Sequence, residues 1–260
     1  MIIYFIIGSI GGLLSGILGI GGGVVFVPLL TYLTKSDFKI NTGVSSLAVV
    51  FVASGSSITY VLNDFSDGSN LLFEILIIVF GGIFGSYIGS KLTESINTAL
   101  LKKLFAILLI ASAYRIIFST SVSSAFQDNL VLYFLIGLVS GIGSGLLGIG
   151  GGIIRIPMLI FFGGFEQIIA QGISLLTTIP TALTAAATKI RKDTELLKIG
   201  LIVGVFGVLG SIVVEIELSN GIVGVATGLG GEPACWLIQN HLNNNSRKYY
   251  EIEIPEDGYY

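Results

Sequence analysis

Arg155 has the most direct chemistry to offer. It lies three positions beyond the run Gly150, Gly151 and Gly152, inside an apolar stretch from about residue 129 to 162. A guanidinium stays charged and carries five donors, and an ionisable group in a stretch of membrane length is costly enough to be read as functional by default. Three consecutive glycines weaken a helix and a proline removes a backbone donor, so Gly150 to Gly152 and Pro157 are expected to break the stretch. A break frees backbone N–H groups, and the half-helix that resumes beyond it points the positive end of its dipole at the gap. Arginine and freed amides together make a focus for a carboxylate, a sulfonate or a sulfite-like anion. The competing role is structural: an arginine that snorkels to the interface or pairs with an acid.

The backbone around Arg155 is written twice. Residues 16–29 read GILGIGGGVVFVPL and residues 145–158 read GLLGIGGGIIRIPM, a constant offset of 129 residues (Gly16 to Gly145). Gly21, Gly22, Gly23 and Pro28 recur as Gly150, Gly151, Gly152 and Pro157, while Phe26 stands where the second copy has Arg155. Two broken apolar segments in matching positions of two halves point to a transporter substrate site. The six glycines are therefore candidate binding residues, and close crossing of the two segments is their alternative use. Ser45 and Ser174 align at the same offset and are the candidate hydroxyls, with Thr177, Thr178, Ser54, Ser56 and Ser57 lying deeper. Hydroxyls of this kind either line a polar path or bond to their own helix.

Other chemistries find little support. Gly143, Gly145 and Gly148 match the spacing of a dinucleotide-binding loop, with Glu166 beyond them. That loop belongs between a strand and a helix of a soluble unit, and here it sits in an apolar run. Cys235 and His241 stand alone of their kinds, so neither a disulfide framework nor a Cys/His metal site is expected. No catalytic constellation, cofactor site or nucleic-acid partner is expected.

The elements that must hold these residues are set by composition. The chain of 260 residues is 53% hydrophobic and 11% charged, with a mean hydropathy of +0.92. Soluble domains are roughly a quarter charged. Apolar segments fall at about 2–33, 42–62, 71–91, 97–118, 129–162, 168–188, 196–214 and, weakly, 219–238. A span needs about 20 apolar residues. An all-α, multi-pass membrane protein in a lipid bilayer follows. No Lys or Arg precedes the apolar run from Ile2, so a cleavable signal peptide is not expected. Gly81, Gly82, Gly85 and Gly89, and later Gly200, Gly204, Gly207 and Ser211, form small-residue ridges suited to close helix packing.

Loop charges orient the two halves. Lys35 and Lys39 follow the first segment, Asp64 and Asp67 the second, and Lys91 the third. In the second half Glu166 follows the first segment, Lys189, Arg191 and Lys192 the second, and Glu215 and Glu217 the third. Equivalent loops thus favour opposite sides of the membrane. The expectation is two inverted repeats, 1–118 and 129–238, joined by a linker at 119–128 and followed by a polar tail at 239–260. Each repeat starts with a Gly/Pro-broken re-entrant segment, which leaves the odd number of crossings that inversion requires.

The doubled G-x-L-G-I-G-G-G-x-x-x-x-P-x-L pattern resembles the sulfite exporter TauE/SafE family of membrane permeases. The resemblance runs over roughly residues 5–214 and includes Leu92-Thr93-Glu94 and Leu104-Phe105-Ala106. It implies a multi-pass plasma-membrane protein of two related halves that moves sulfur-containing or other small organic anions. It stops near Val214. Beyond that point Glu232 and Pro233 interrupt the weak segment, so the last helix is either replaced or divergent. The expected activity is alternating access for a small anion at the interface of the repeats, driven by a coupling ion or the substrate's own gradient. A membrane-embedded assembly protein or an inactive copy with an altered last helix is the alternative.

Overall fold

The computed structural model describes residues 1–18, 21–63, 71–117, 129–165, 167–190 and 193–219. Among these residues the chain is all helical: α1 (Ile2–Leu18), α2 (Gly23–Thr34), α3 (Phe38–Asn63), α4 (Leu72–Ser95), α5 (Thr98–Ile117), α6 (Leu130–Leu147), α7 (Gly152–Gly163), α8 (Gln167–Ile190) and α9 (Thr194–Ser219). Among the described residues four stretches are long and apolar enough to cross a membrane: Phe38–Ser57, Leu72–Ser95, Leu130–Leu147 and Ile169–Ile190. The expected linker at 119–128, the loop charges Asp64, Asp67, Glu166, Arg191 and Lys192, the weak segment beyond 219 and the tail at 239–260 lie outside the described residues.

Helix starts follow ordinary capping chemistry in four places. The side chains of Asp37, Asn97, Asn129 and Asp193 accept backbone N–H groups two residues on, at 3.1, 2.9, 3.1 and 3.0 Å. The two half-length helices are different. α2 and α7 begin after Gly22 and Gly151, with no side-chain cap on either.

Both long glycine-bearing segments break as expected, but the prolines are not the cause. Gly21 and Gly22 have φ of 78° and 81°, and Gly148, Gly150 and Gly151 have 70°, 79° and 87°. These left-handed values carry little penalty only for glycine and reverse the chain. Pro28 lies inside α2 and Pro157 inside α7. The reading of Pro28 and Pro157 as helix breaks is therefore corrected. A proline already has a helical φ and forfeits one bond, which a helix with packed sides tolerates, whereas φ above +70° cannot belong to a helix at all.

The packing repeats with the sequence. α1 runs along α9 as α6 runs along α4, and α3 meets α9 as α8 meets α4. The close approaches match residue for residue. A Cβ on Gly8 would press on Val203 and one on Gly12 would overlap Gly207, while Gly137 and Gly141 stand in the same relation to Ile78 and Gly82. In both seams the paired numbers rise together, so each pair of helices is parallel. The ridge on α4 is one of these seams, whereas Gly200 and Gly204 of the second ridge meet Leu47 and Phe51 of α3. Two hydrophobic clusters correspond as well: Ile7, Leu30, Val44 and Val203 in one, Ile136, Leu159, Ile173 and Ile78 in the other. α3 and α8 cross between them, and α5 lies against α7. Residues 220–260, where a repeat counterpart of α5 is expected, lie outside the described residues.

Candidate functional site

The two breaks meet at the centre of this two-fold pattern. Val49 on α3 and Thr178 on α8 are equivalent positions, and both lie against both breaks. A Cβ on Gly21 would stand 3.6 Å from Thr178 Cγ2 and 3.8 Å from Val49 Cγ1, and one on Gly150 would press on the same two side chains. Gly23 approaches the backbone of Ile149 so closely that any Cβ would collide with it. Close backbone crossing is thus one use of these glycines. Gly152, the counterpart of Gly23, starts α7 and is buried.

Arg155 projects from the first turn of α7 into this crossing and is 0% exposed. It does not snorkel. Its Nε donates to Ser140 Oγ at 3.1 Å, and its Nη1 donates to Ser174 O at 3.1 Å, Thr177 Oγ1 at 2.6 Å and Thr178 Oγ1 at 3.2 Å. The threonine protons are committed elsewhere. Thr177 Oγ1 donates to Ile173 O at 2.7 Å and Thr178 Oγ1 to Gly150 O at 3.1 Å, so oxygen lone pairs face the guanidinium. Every acceptor around Arg155 is neutral. Among the described residues the one ion pair is Lys198 with Glu195, far out on an exposed face at 4.0 Å. Arg155 Nη2 is buried and has no hydrogen-bond partner among the described residues. It lies in the space left by two absent side chains, 3.2 Å from where a Cβ on Gly151 would stand and 3.6 Å from one on Gly82.

The family model for the sulfite exporters TauE/SafE matches residues 1–116 and 133–229, which include both breaks and Arg155. This chain belongs to the TauE/SafE family. Relatives are similar over much of the same region. A probable membrane transporter protein of Methanocaldococcus jannaschii is 37% identical over 161 residues, covering 59% of each chain. The chain thus spans less than two thirds of that relative's length. The probable membrane transporter protein YunE of Bacillus subtilis is 25% identical over 219 residues, 72% of this chain and 77% of its own. One from Xylella fastidiosa is 28% identical over 193 residues, 72% of each. No solved structure matches the chain at a significant level. These three relatives are each named as probable membrane transporter proteins.

Within this TauE/SafE fold, the structure gathers Gly21, Gly22, Gly23, Gly150, Gly151, Gly152, Arg155 and Ser174 around the crossing. Ser45 serves the same place from the other helix, donating to Gly148 O at 2.7 Å and so fastening the second break to α3. Ser174 contributes its backbone carbonyl to Arg155. Ser140, Thr181 and Gly82 were absent from the sequence-based candidates. A signal for the two hydroxyls existed. At the 129-residue offset Ser140, Thr177, Thr178 and Thr181 replace Gly11, Ala48, Val49 and Val52, all in the half that gains Arg155. Ser15 and Ser144, equivalent residues on α1 and α6, also keep buried hydroxyls without a partner among the described residues.

At one end of the bundle Lys39, Glu94 and Lys189 line a single cavity, so the start of α3 and the ends of α4 and α8 lie together.

Proposed function

We propose that this chain is a plasma-membrane permease for small organic anions, sulfur-containing ones among them, with Arg155 as the anion anchor at the crossing of the two breaks. The observation that carries the reading is a fully buried guanidinium with neutral neighbours and a spare N–H edge. A buried charge with no counter-charge is strongly unfavourable, and a bound oxyanion supplies both the charge and the missing acceptor. The uncapped starts of α2 and α7 add N–H groups and dipole ends at the same place. In this reading a wholly covered Arg155 belongs to the occluded step of an alternating-access cycle. A coupling ion or the anion's own gradient supplies the drive.

The repeats are read as inverted, each opening with a re-entrant hairpin. Supporting this, Lys39 after the first break and Lys189 at the end of α8 share one cavity although their loops are not equivalent in the two halves. The parallel seam of α1 with α9 also starts both helices at one end, and α2 returns towards that end to meet α3. Labelling that placed residues 64–67 and 189–192 on one side of the membrane would overturn the inversion.

Flux tests the anchor. In proteoliposomes loaded with a panel of sulfonates, sulfite and carboxylates, Arg155→Gln is expected to lose at least about tenfold in rate for the transported anion, the scale of one lost charge-assisted contact. A folded Arg155→Gln protein that moves every anion at the unmodified rate would remove the anchor. A second reading, an assembly component or inactive copy, rests on Glu232 and Pro233, which lie just beyond the family match; that match itself runs past Val214 to residue 229. An intact fold with no flux of any tested anion would support it.

A further inference from the structure

The cavity at the lysine-bearing end holds a second set of unspent polar groups. Its volume is about 170 Å³, well above the ~10–15 Å³ that one water needs, and its lining includes Lys39, Gly43, Ser90, Thr93, Glu94 and Lys189. Lys189 Nζ donates to Thr42 Oγ1 at 2.8 Å and to Leu146 O at 3.5 Å, and Lys39 Nζ donates to Glu94 O at 3.0 Å. All three acceptors are neutral, and neither ammonium is in an ion pair among the described residues. An ammonium has three donors, so each lysine keeps at least one. Ser90 is 1% exposed, lines the cavity, and its Oγ has no partner among the described residues. Against two cations stands the one carboxylate of Glu94, on an exposed residue.

The position gives these groups a use. Eleven residues of α8 separate Thr178 from Lys189, about 17 Å along the helix axis, so this cavity is distinct from the Arg155 crossing. Helices α3 and α6 connect the two. Thr42 and Ser45 of α3 touch the second break through Gly148, and Lys189 holds the carbonyl end of α6 just before it.

We propose that this cavity is a vestibule site for a soluble small oxyanion, a sulfonate or carboxylate, held by Lys189, Lys39 and the Ser90 hydroxyl before it passes to the crossing. The identity of the passing anion rests on the permease reading; the site itself does not. A sulfonate offers three acceptor oxygens to the two ammoniums and the hydroxyl. Lys189 then has two states: bound to Thr42 and Leu146 when the site is empty, and shared with the anion when it is filled. Because Leu146 lies in the last turn of the helix that leads into the break, the anion loosens the packing it must pass.

The test uses the full chain in phosphatidylcholine vesicles with Cys235→Ser and Ser90→Cys. The thiol is treated with an anionic sulfonatoethyl or a cationic trimethylammonioethyl methanethiosulfonate, each rate being scaled to a free thiol. The anionic reagent is expected to be favoured by about tenfold, the scale on which a cleft of one charge sign concentrates counter-ions. Added Lys189→Gln should bring the ratio near one, and free methanesulfonate should slow the anionic reagent. All of this should persist with Arg155→Gln, which separates failure of this site from failure of the anchor. Equal rates for the two reagents would mean that the lysines only cap the carbonyl ends of α4 and α6, and would overturn the proposal. A thiol that reacts with neither reagent would do the same. So would protection by phosphatidylglycerol vesicles but not by methanesulfonate, which would assign the cavity to lipid headgroups.

Discussion

Phe26 and Arg155 occupy equivalent places in two halves built on one backbone plan, and everything around them has followed the difference. Phe26 is 0% exposed among Ala48, Val49 and Val52, with its ring against Gly11 and Gly207. Arg155 is equally covered, with Thr177, Thr178, Thr181, Ser140 and Gly82 in the corresponding places. The ring fills its pocket by volume and asks nothing of its neighbours but shape. The guanidinium requires acceptors, and four of its neighbours carry hydroxyls in place of hydrogen or methyl groups. Duplication thus supplied the break twice, while the polar environment was built once. A single positive site at a two-fold crossing also avoids the repulsion that two buried guanidiniums would bring.

The harshest way to break this comparison is to write the second site into the first. Phe26→Arg places a charge among Ala48, Val49 and Val52, whose side chains offer it no acceptor. An uncompensated buried charge of this kind costs about 3–5 kcal/mol. The expected outcome is a large fall in the melting temperature of the purified protein in detergent, or failure to accumulate. Adding Gly11→Ser, Ala48→Thr, Val49→Thr and Val52→Thr should recover part of the loss. A Phe26→Arg protein as stable as the original would show that the hydroxyls are not what makes Arg155 tolerable.

The glycines before each half-helix give a finer contrast. Gly22 and Gly151 share left-handed angles, φ 81° and 87°, so alanine at either carries about 1–2 kcal/mol of backbone strain. Their surroundings differ. A Cβ on Gly22 would meet the Phe26 ring at 2.7 Å and Ser15 Oγ at 3.0 Å, whereas one on Gly151 would meet Ser140 O at 2.8 Å and Arg155 Nη2 at 3.2 Å. Both variants should lose about 2 kcal/mol in a denaturation series, of which strain is the larger part. Gly151→Ala should in addition weaken anion affinity, because its methyl group crowds the guanidinium edge that has no partner among the described residues. Equal effects of the two alanines on affinity would mean that the breaks serve folding alone.

Much of this arrangement was legible in the residues. Hydropathy gave the membrane helices, and the doubled GIGGG gave both break positions, because positive φ and close crossing are demands that only glycine meets cheaply. Arg155 stood out for its charge. The prolines misled, since a proline's effect depends on whether the helix can spare one bond, and the sequence does not say. Ser140 and Thr181 were passed over for a similar reason. A hydroxyl in an apolar helix usually bonds to its own backbone, as Thr181 does to Thr177 O at 2.9 Å and Thr184 to Pro180 O at 2.8 Å. What marked the site was a difference between the halves, visible only once Phe26 and Arg155 are compared neighbour by neighbour.

The mildest test exchanges near-isosteric side chains at the crossing itself. Thr178 and Val49 are equivalent, and each lies against both Gly21 and Gly150. Thr178→Val removes an acceptor from Arg155 Nη1 and a donor to Gly150 O with little change of shape. Arg155 keeps Ser140, Ser174 and Thr177, so the expected loss is about 1 kcal/mol, the net worth of one hydrogen bond. Anion affinity should fall several-fold. Val49→Thr adds a hydroxyl where no guanidinium waits. Its oxygen can return to the carbonyl four residues back in α3, and the cost should stay under about 1 kcal/mol with flux unchanged. Double-mutant cycles sharpen the contrast: Thr178→Val should couple to Arg155→Gln, and Val49→Thr should not. Coupling of both to Arg155 would show that the crossing responds as one body, and the site would then belong to the pair of breaks rather than to the second half.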